Sequence, residues 1–206
     1  MKTALITGGA ARIGAQIART LHENNFKIII HCNQSLEKAQ LLSDELNSVI
    51  KDSSGVISGN LNNFESISSI VNSIDSLDIL VNNASVFYPK SVEDSKIDDW
   101  NDVINVNLRA PFFLSKGLSK KLSIRNGSII NIIDIHADRP LKNHAVYNIS
   151  KAGLKMMTQT LAKELAPNIR VNGVSPGSIL WPEASAEISE AEKKLMLDRI
   201  ALNRQG

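Results

Sequence analysis

Short apolar runs and helix-like stretches alternate along this chain as far as position 174, and that alternation constrains the fold more than any single motif. Ala4-Leu5-Ile6 ends at Thr7-Gly8-Gly9 and opens a helical pattern that runs to Asn24-Asn25. Residues 27–31 form a β-branched run, followed by a polar helix over 35–46. A third strand at 56–58 precedes a helix over 64–74, and a fourth at 77–81 ends in Asn82-Asn83-Ala84-Ser85. A long helix is predicted over 100–122, with Pro111 kinking it or starting a new segment. Strand five covers 128–133, a helix 145–166 and strand six 169–174. Strands that are apolar throughout, rather than alternating, are buried on both faces. Their alternation with helices therefore predicts an α/β fold: a doubly wound parallel sheet with helices on each side.

The 206 residues, long enough for a sizeable core, are expected to form a single domain, 1–206. After Pro176 the alternation stops, and residues 176–200 are charged and helix-prone, suiting a substrate loop or lid over the sheet edge. Lys and Arg number 23 against 21 Asp and Glu. No global field then points to nucleic acid or a membrane. The single cysteine, Cys32, excludes an internal disulfide. No apolar stretch approaches ~18 residues, so a soluble cytoplasmic protein is expected.

Three stretches carry chemistry. Thr7-Gly8-Gly9-Ala10-Ala11-Arg12-Ile13-Gly14 follows strand one and opens a helix, which is where a phosphate-binding turn belongs. Small residues let the backbone approach a pyrophosphate, and Arg12 can reach over a phosphate. After strand two an NAD-selective site would carry an acid for the ribose 2′-hydroxyl. Here Asn33, Gln34 and Ser35 stand instead, with no carboxylate before Glu37. Neutral donors and the Arg12 guanidinium suit a 2′-phosphate, which favours NADP(H). Tyr147 and Lys151 lie about one turn apart on one helix face, so an ammonium is expected to lower the phenol's pKa and ready it as an acid. His136 and His144 read as loop residues, and no ligand spacing supports a metal.

Taken together, the first turn, Asn82-Asn83-Ala84, Asn107, Tyr147-x-x-x-Lys151 and Pro176-Gly177 resemble, over the whole chain, the short-chain dehydrogenase/reductases. The resemblance implies a Rossmann fold with Tyr147 as proton donor. It makes Lys151 the residue that holds the nicotinamide ribose and Asn107 the support of a proton-relay water. Gly8, Arg12, Ile13, Gly14, Asn33, Gln34, Ser35, Asn60, Leu61, Asn83, Ala84, Ser85, Tyr147, Lys151, Pro176, Gly177 and Ser178 would bind NADPH. Two departures from the general pattern, Asp134 where serine is usual and Arg12 for the second glycine, resemble the pteridine reductase and dihydromonapterin reductase branch. Asn83-Ala84-Ser85-Val86-Phe87-Tyr88-Pro89 and the Trp181 segment resemble that branch too. A pterin would then meet Arg12, Ser85, Phe87, Asp134, Tyr147 and Trp181, with Phe87 stacking on it and Asp134 and Tyr147 delivering protons. Asn60 stands where many relatives carry an aspartate contacting adenine.

The implied activity is NADPH-dependent reduction of a dihydropterin, dihydromonapterin or dihydrofolate to the tetrahydro form. Carbonyl reduction, for instance of a 3-oxoacyl thioester, and an inactive nucleotide-binding partner are the rivals. Relatives in this family continue with a further helix and edge strand and are homotetramers; the chain stops short of both elements, which puts that assembly in doubt.

Overall fold

A computed structural model of the chain describes residues 1–177, 179, 189–198 and 200–204. Six strands form one sheet: β1 (Lys2–Ile6), β2 (Phe26–Cys32), β3 (Ser54–Ser58), β4 (Ile79–Asn82), β5 (Ser128–Ile132) and β6 (Arg170–Val174). All pairings are parallel, in the order β3-β2-β1-β4-β5-β6. Helices α1 (Arg12–Glu23), α2 (Leu36–Val49), α3 (Phe64–Ser73), α4 (Ile97–Ile104), α5 (Ala110–Ile124) and α6 (Ala145–Glu164) fill the crossovers, and α7 (Glu190–Leu197) follows β6. The predicted doubly wound α/β architecture is the observed one.

The apolar strands are sandwiched between two cores. Leu5, Leu80 and Ile129 face Leu114, Leu118 and Leu154 on one side, while Ala4, Ile28 and Ile30 face Ala18, Leu42 and Leu46 on the other. At about 25 cal/mol per Å² of apolar surface, this two-sided burial outweighs any local propensity and fixes each strand's place.

One predicted element differs. The long helix begins at Ile97 and is interrupted by a π turn, Asn105–Arg109, before α5. Pro111, in the first turn of α5, has no N–H to donate to the carbonyl of Asn107 one turn back, so the regular ladder fails there. The extra residue of the π turn absorbs the mismatch. Asn107 is thereby turned inward and buried.

The strand order reverses direction between β1 and β4, which opens a crevice at their carboxyl ends. The two loops meet closely there. Gly8 adopts φ +60°, and a Cβ on it would lie 3.0 Å from the Ala84 Cα. The Thr7 hydroxyl accepts the N–H groups of Asn83 and Ala84 at 2.9 and 3.0 Å. The Asn83 amide in return donates to the carbonyls of Thr7 and Gly8.

Candidate active site

A cavity of about 600 Å³ lies over this crevice. Of the residues expected to bind a dinucleotide, Gly8, Arg12, Ile13, Gly14, Asn33, Gln34, Asn60, Leu61, Asn83, Ala84 and Ser85 line it. Ser35 instead stands at the N-cap of α2. The N-terminus of α1 faces the cavity with Ala11 at its cap position, no side-chain cap and no acid in its first turn. Its amide donors are thus offered to whatever occupies the cavity, and its dipole favours an anion. A Cβ at Gly14 would stand 2.6 Å from the Asn83 amide nitrogen and 3.0 Å from the Gly9 Cα. The close approach of α1 to the loops after β1 and β4 therefore requires glycine. Arg12 holds φ +50°, a left-handed conformation that costs an L-residue roughly 1–2 kcal/mol. That geometry explains why glycine is the usual occupant of the position.

His31, at the end of the predicted second strand, belongs to β2 and is buried. Gly8 N–H donates to its Nδ1 at 3.3 Å, so the ring proton sits on Nε2 and is donated to the Gly59 carbonyl at 3.0 Å. Burial pushes its pKa down, with the Gly59 carbonyl partly opposing. A neutral imidazole thus ties the phosphate turn to the end of β3.

Beyond Ser85 lie the reactive side chains. Tyr147 and Lys151 share the buried face of α6, as one-turn spacing predicts, and are 6% and 2% exposed. Asp134 leaves the end of β5. One of its oxygens caps the 3₁₀ turn Ile135–Ala137 by accepting His136 N–H at 2.8 Å. The other accepts the Tyr147 hydroxyl at 2.7 Å. Lys151 Nζ donates to the Ile132 carbonyl at 3.0 Å and stands 5.6 Å from the Tyr147 ring centre.

This arrangement corrects the expected acidity of the phenol. Burial first, then the hydrogen bond and charge of Asp134, hold the Tyr147 pKa far above its ordinary value, with a hydrogen bond from Ser85 acting weakly the other way. The lysine is the group brought toward neutrality: burial lowers its pKa to about 8 despite the attraction of Asp134. Spacing places Tyr and Lys on one face, but the nearest charge to the phenol comes from β5 and is negative.

Two other expectations are modified. The Asn107 amide is fully engaged within the protein: its oxygen accepts Val86 N–H at 2.7 Å, and its nitrogen donates to the Val86 carbonyl and the Ser150 hydroxyl. It pins the loop after β4 to α6. Phe87 does not line the cavity. Its ring stacks on His144 at 4.6 Å and meets Tyr147 edge-on at 4.8 Å, leaving the residue about half exposed. Pro176 accepts the N–H of Ile135 at 3.2 Å, and Gly177 follows beside it. Ser178 and Trp181, with the stretch 180–188 of the expected lid over 176–200, lie outside the described residues. Among the described residues no group of His, Cys, Asp or Glu is disposed to hold a metal, and no helix is long and apolar enough to cross a membrane.

Asp102, Asn62 and Val106 also line the cavity and were not singled out from sequence. A charged residue on an amphipathic helix gives no signal of its own, and Asp102 meets Asn62 only through the fold.

The family model described as short chain dehydrogenase matches residues 2–193. The 3-oxoacyl-(acyl-carrier-protein) reductase FabG of Rickettsia typhi is 36% identical over 207 residues, covering all of this chain and 83% of the relative. The protein of the same description from Staphylococcus epidermidis is 33% identical over 210 residues, covering all of this chain and 86% of the relative. Trans-4-hydroxycyclohexanecarboxylate dehydrogenase of Sinomonas cyclohexanicum is 34% identical over 190 residues, covering 88% of this chain and 73% of the relative.

Proposed function

This chain belongs to the short-chain dehydrogenase family, and on that premise we propose that it is an NADPH-dependent reductase acting on a dihydropterin. The crevice at the switch point, the uncapped N-terminus of α1 and the glycine cradle at Gly14 fit a pyrophosphate. Arg12, Asn33 and Gln34 line the same cavity with one cation and two amides, and suit a 2′-phosphate. Asn83, Ala84 and Ser85 lead from the phosphate turn toward Tyr147, and Tyr147 and Lys151 would hold the nicotinamide ribose. Bound there, the reduced cofactor supplies a hydride.

The residues of the chain manage the proton. Tyr147 stays protonated through the neutral range and so is in the form that can donate. The Lys151 ammonium lies on the same helix face and stabilises the phenolate left behind. The observation that carries the substrate assignment is the carboxylate of Asp134 on the Tyr147 hydroxyl. An ionised carboxylate only accepts hydrogen bonds. It therefore suits a substrate that presents amino or ring N–H groups. Pro176, Gly177 and Ser178 would close the cofactor site, and Phe87 and Trp181 would flank the pterin.

The comparisons favour a second reading over the pteridine reductase branch: relatives of about one-third identity are named 3-oxoacyl-(acyl-carrier-protein) reductases, and none of those reported above is named a pterin reductase. On that reading a thioester ketone replaces the pterin and the catalytic tyrosine is the same. NADPH oxidation measured against dihydropterins, dihydrofolate, simple ketones and a 3-oxoacyl thioester separates the two. Turnover of a dihydropterin well above that of any ketone is the expected result. Ready reduction of the thioester with none of any pterin would replace the first reading by the second.

A further inference from the structure

Asp102 is the one carboxylate among the described residues lining the cavity assigned to NADPH. A negative group facing a ligand with several phosphates is repulsive unless a donor on the ligand meets it. Its surroundings specify that donor. Val106 lies one turn further along the same helical face and Leu61 adjoins Asn62, so apolar groups flank the carboxylate. Asn62 Nδ2 donates to Asp102 Oδ1 at 2.5 Å and fixes its orientation, and Arg109 in turn holds the Asn62 carbonyl at 2.7 Å. Asn60, the residue expected to meet the base, has turned its side-chain oxygen back to accept the Asn62 N–H at 2.9 Å. One lone pair of that oxygen is taken by the loop, and Asp102 is the charged, stronger acceptor on this wall.

With the reactive pair beyond Ser85 and the phosphate turn in the middle, this wall is where the purine of the cofactor comes to lie. We infer that Asp102 reads the 6-amino group of the adenine, as a charged acceptor stronger than the Asn60 amide oxygen already engaged by the loop. A carboxylate carries about four lone-pair positions, so the bonds from Asn62 and from the Tyr88 hydroxyl leave capacity for a further donor. Adenine offers an amino group at that edge, whereas hypoxanthine offers a carbonyl oxygen, which the carboxylate repels.

The inference rests on the assignment of NADPH to the cavity, and direct binding separates the two. Isothermal titration of the parent protein, Asp102→Asn and Asp102→Ala with NADP⁺ and with its hypoxanthine counterpart needs no substrate. The parent is expected to bind NADP⁺ at least about tenfold more tightly than the counterpart, since an acceptor-to-donor mismatch at a charged group is of that order. Both variants should bring the ratio close to one, with Asp102→Asn favouring the hypoxanthine form. A purely structural Asp102 would weaken both ligands alike and preserve the ratio, which overturns the inference. So would a parent that binds both equally, whatever the variants do. A parent that binds neither nucleotide refutes the cofactor assignment itself, and the role of Asp102 falls with it.

Discussion

Lys151 should make the folded protein less stable at neutral pH than at alkaline pH. It is 2% exposed, and burial lowers its pKa from 10.5 to about 8 even with Asp134 nearby. The unfolded chain holds its proton up to about 10.5, so between these values the unfolded state binds more protons and stability rises with pH. Below about 8 both states carry the charge and the folded state bears its full desolvation cost. At about 1.36 kcal/mol per pH unit, a drop of this size amounts to about 3 kcal/mol. Lys151→Met removes the charge but leaves the Ile132 carbonyl without its 3.0 Å donor, a loss of about 1–3 kcal/mol. The variant should therefore match or exceed the parent near neutrality and fall behind it at high pH. Urea unfolding of both proteins across that range checks this, because other titrations cancel in the difference. The free-energy difference between parent and variant should move by about 3 kcal/mol in the parent's favour as pH rises. A difference that stays flat with pH would mean that Lys151 keeps its ordinary pKa, and the desolvation argument would be wrong.

Tyr147→Phe keeps the ring packed against Phe87 but removes the acid, so single-turnover rates should fall about 10²-fold or more while dinucleotide binding changes little. Near-normal turnover would remove the phenol from the mechanism. Arg12→Gly should relieve the strain at φ +50°, raising stability by roughly 1 kcal/mol in thermal or urea unfolding. The same change should narrow the preference for NADPH over NADH in kcat/KM; an unchanged ratio would take Arg12 away from the 2′-phosphate.

The sheet was legible because strands buried on both faces must be apolar throughout, and runs such as Ala4-Leu5-Ile6 carry that mark without any partner being known. The phosphate turn was legible from small residues at the right place after strand one. What could not be read were the meetings of residues far apart in the chain. His31 bridges Gly8 and Gly59, whose positions at neighbouring strand ends exist only in the sheet. Helical periodicity continues through 97–124, so the sequence gives no sign that Asn105–Arg109 loosens into a π turn beyond the missing N–H of Pro111. The acidity of Tyr147 was misjudged because one-turn spacing reports Lys151 and is silent on Asp134. His144 was read as a loop residue, and its ring turns out to cover a face of Phe87.

Asp134 also decides how far the names of the relatives extend to the substrate. The sheet, the glycine turn and the Tyr147–Lys151 pair are what any reductase of the family needs, so identity near one-third does not by itself set the substrate. Reduction of a ketone places negative charge on the carbonyl oxygen, where the Tyr147 hydroxyl must act. A carboxylate 2.7 Å from that hydroxyl repels the charge. Two unit charges about 4 Å apart at an effective dielectric near 20 oppose each other by about 4 kcal/mol, roughly a thousandfold in rate. Reduction of a ring C=N bond avoids this, since the nitrogen takes up a proton and its N–H can donate to Asp134. Asp134→Ser should then raise turnover of a 3-oxoacyl thioester by tenfold or more and lower that of a dihydropterin about 10²-fold, the usual contribution of an acid–base group. Paired steady-state assays on the two substrates read both effects at once. A variant that loses the thioester activity along with the pterin activity would show that the carboxylate serves carbonyl reduction, contrary to this electrostatic argument.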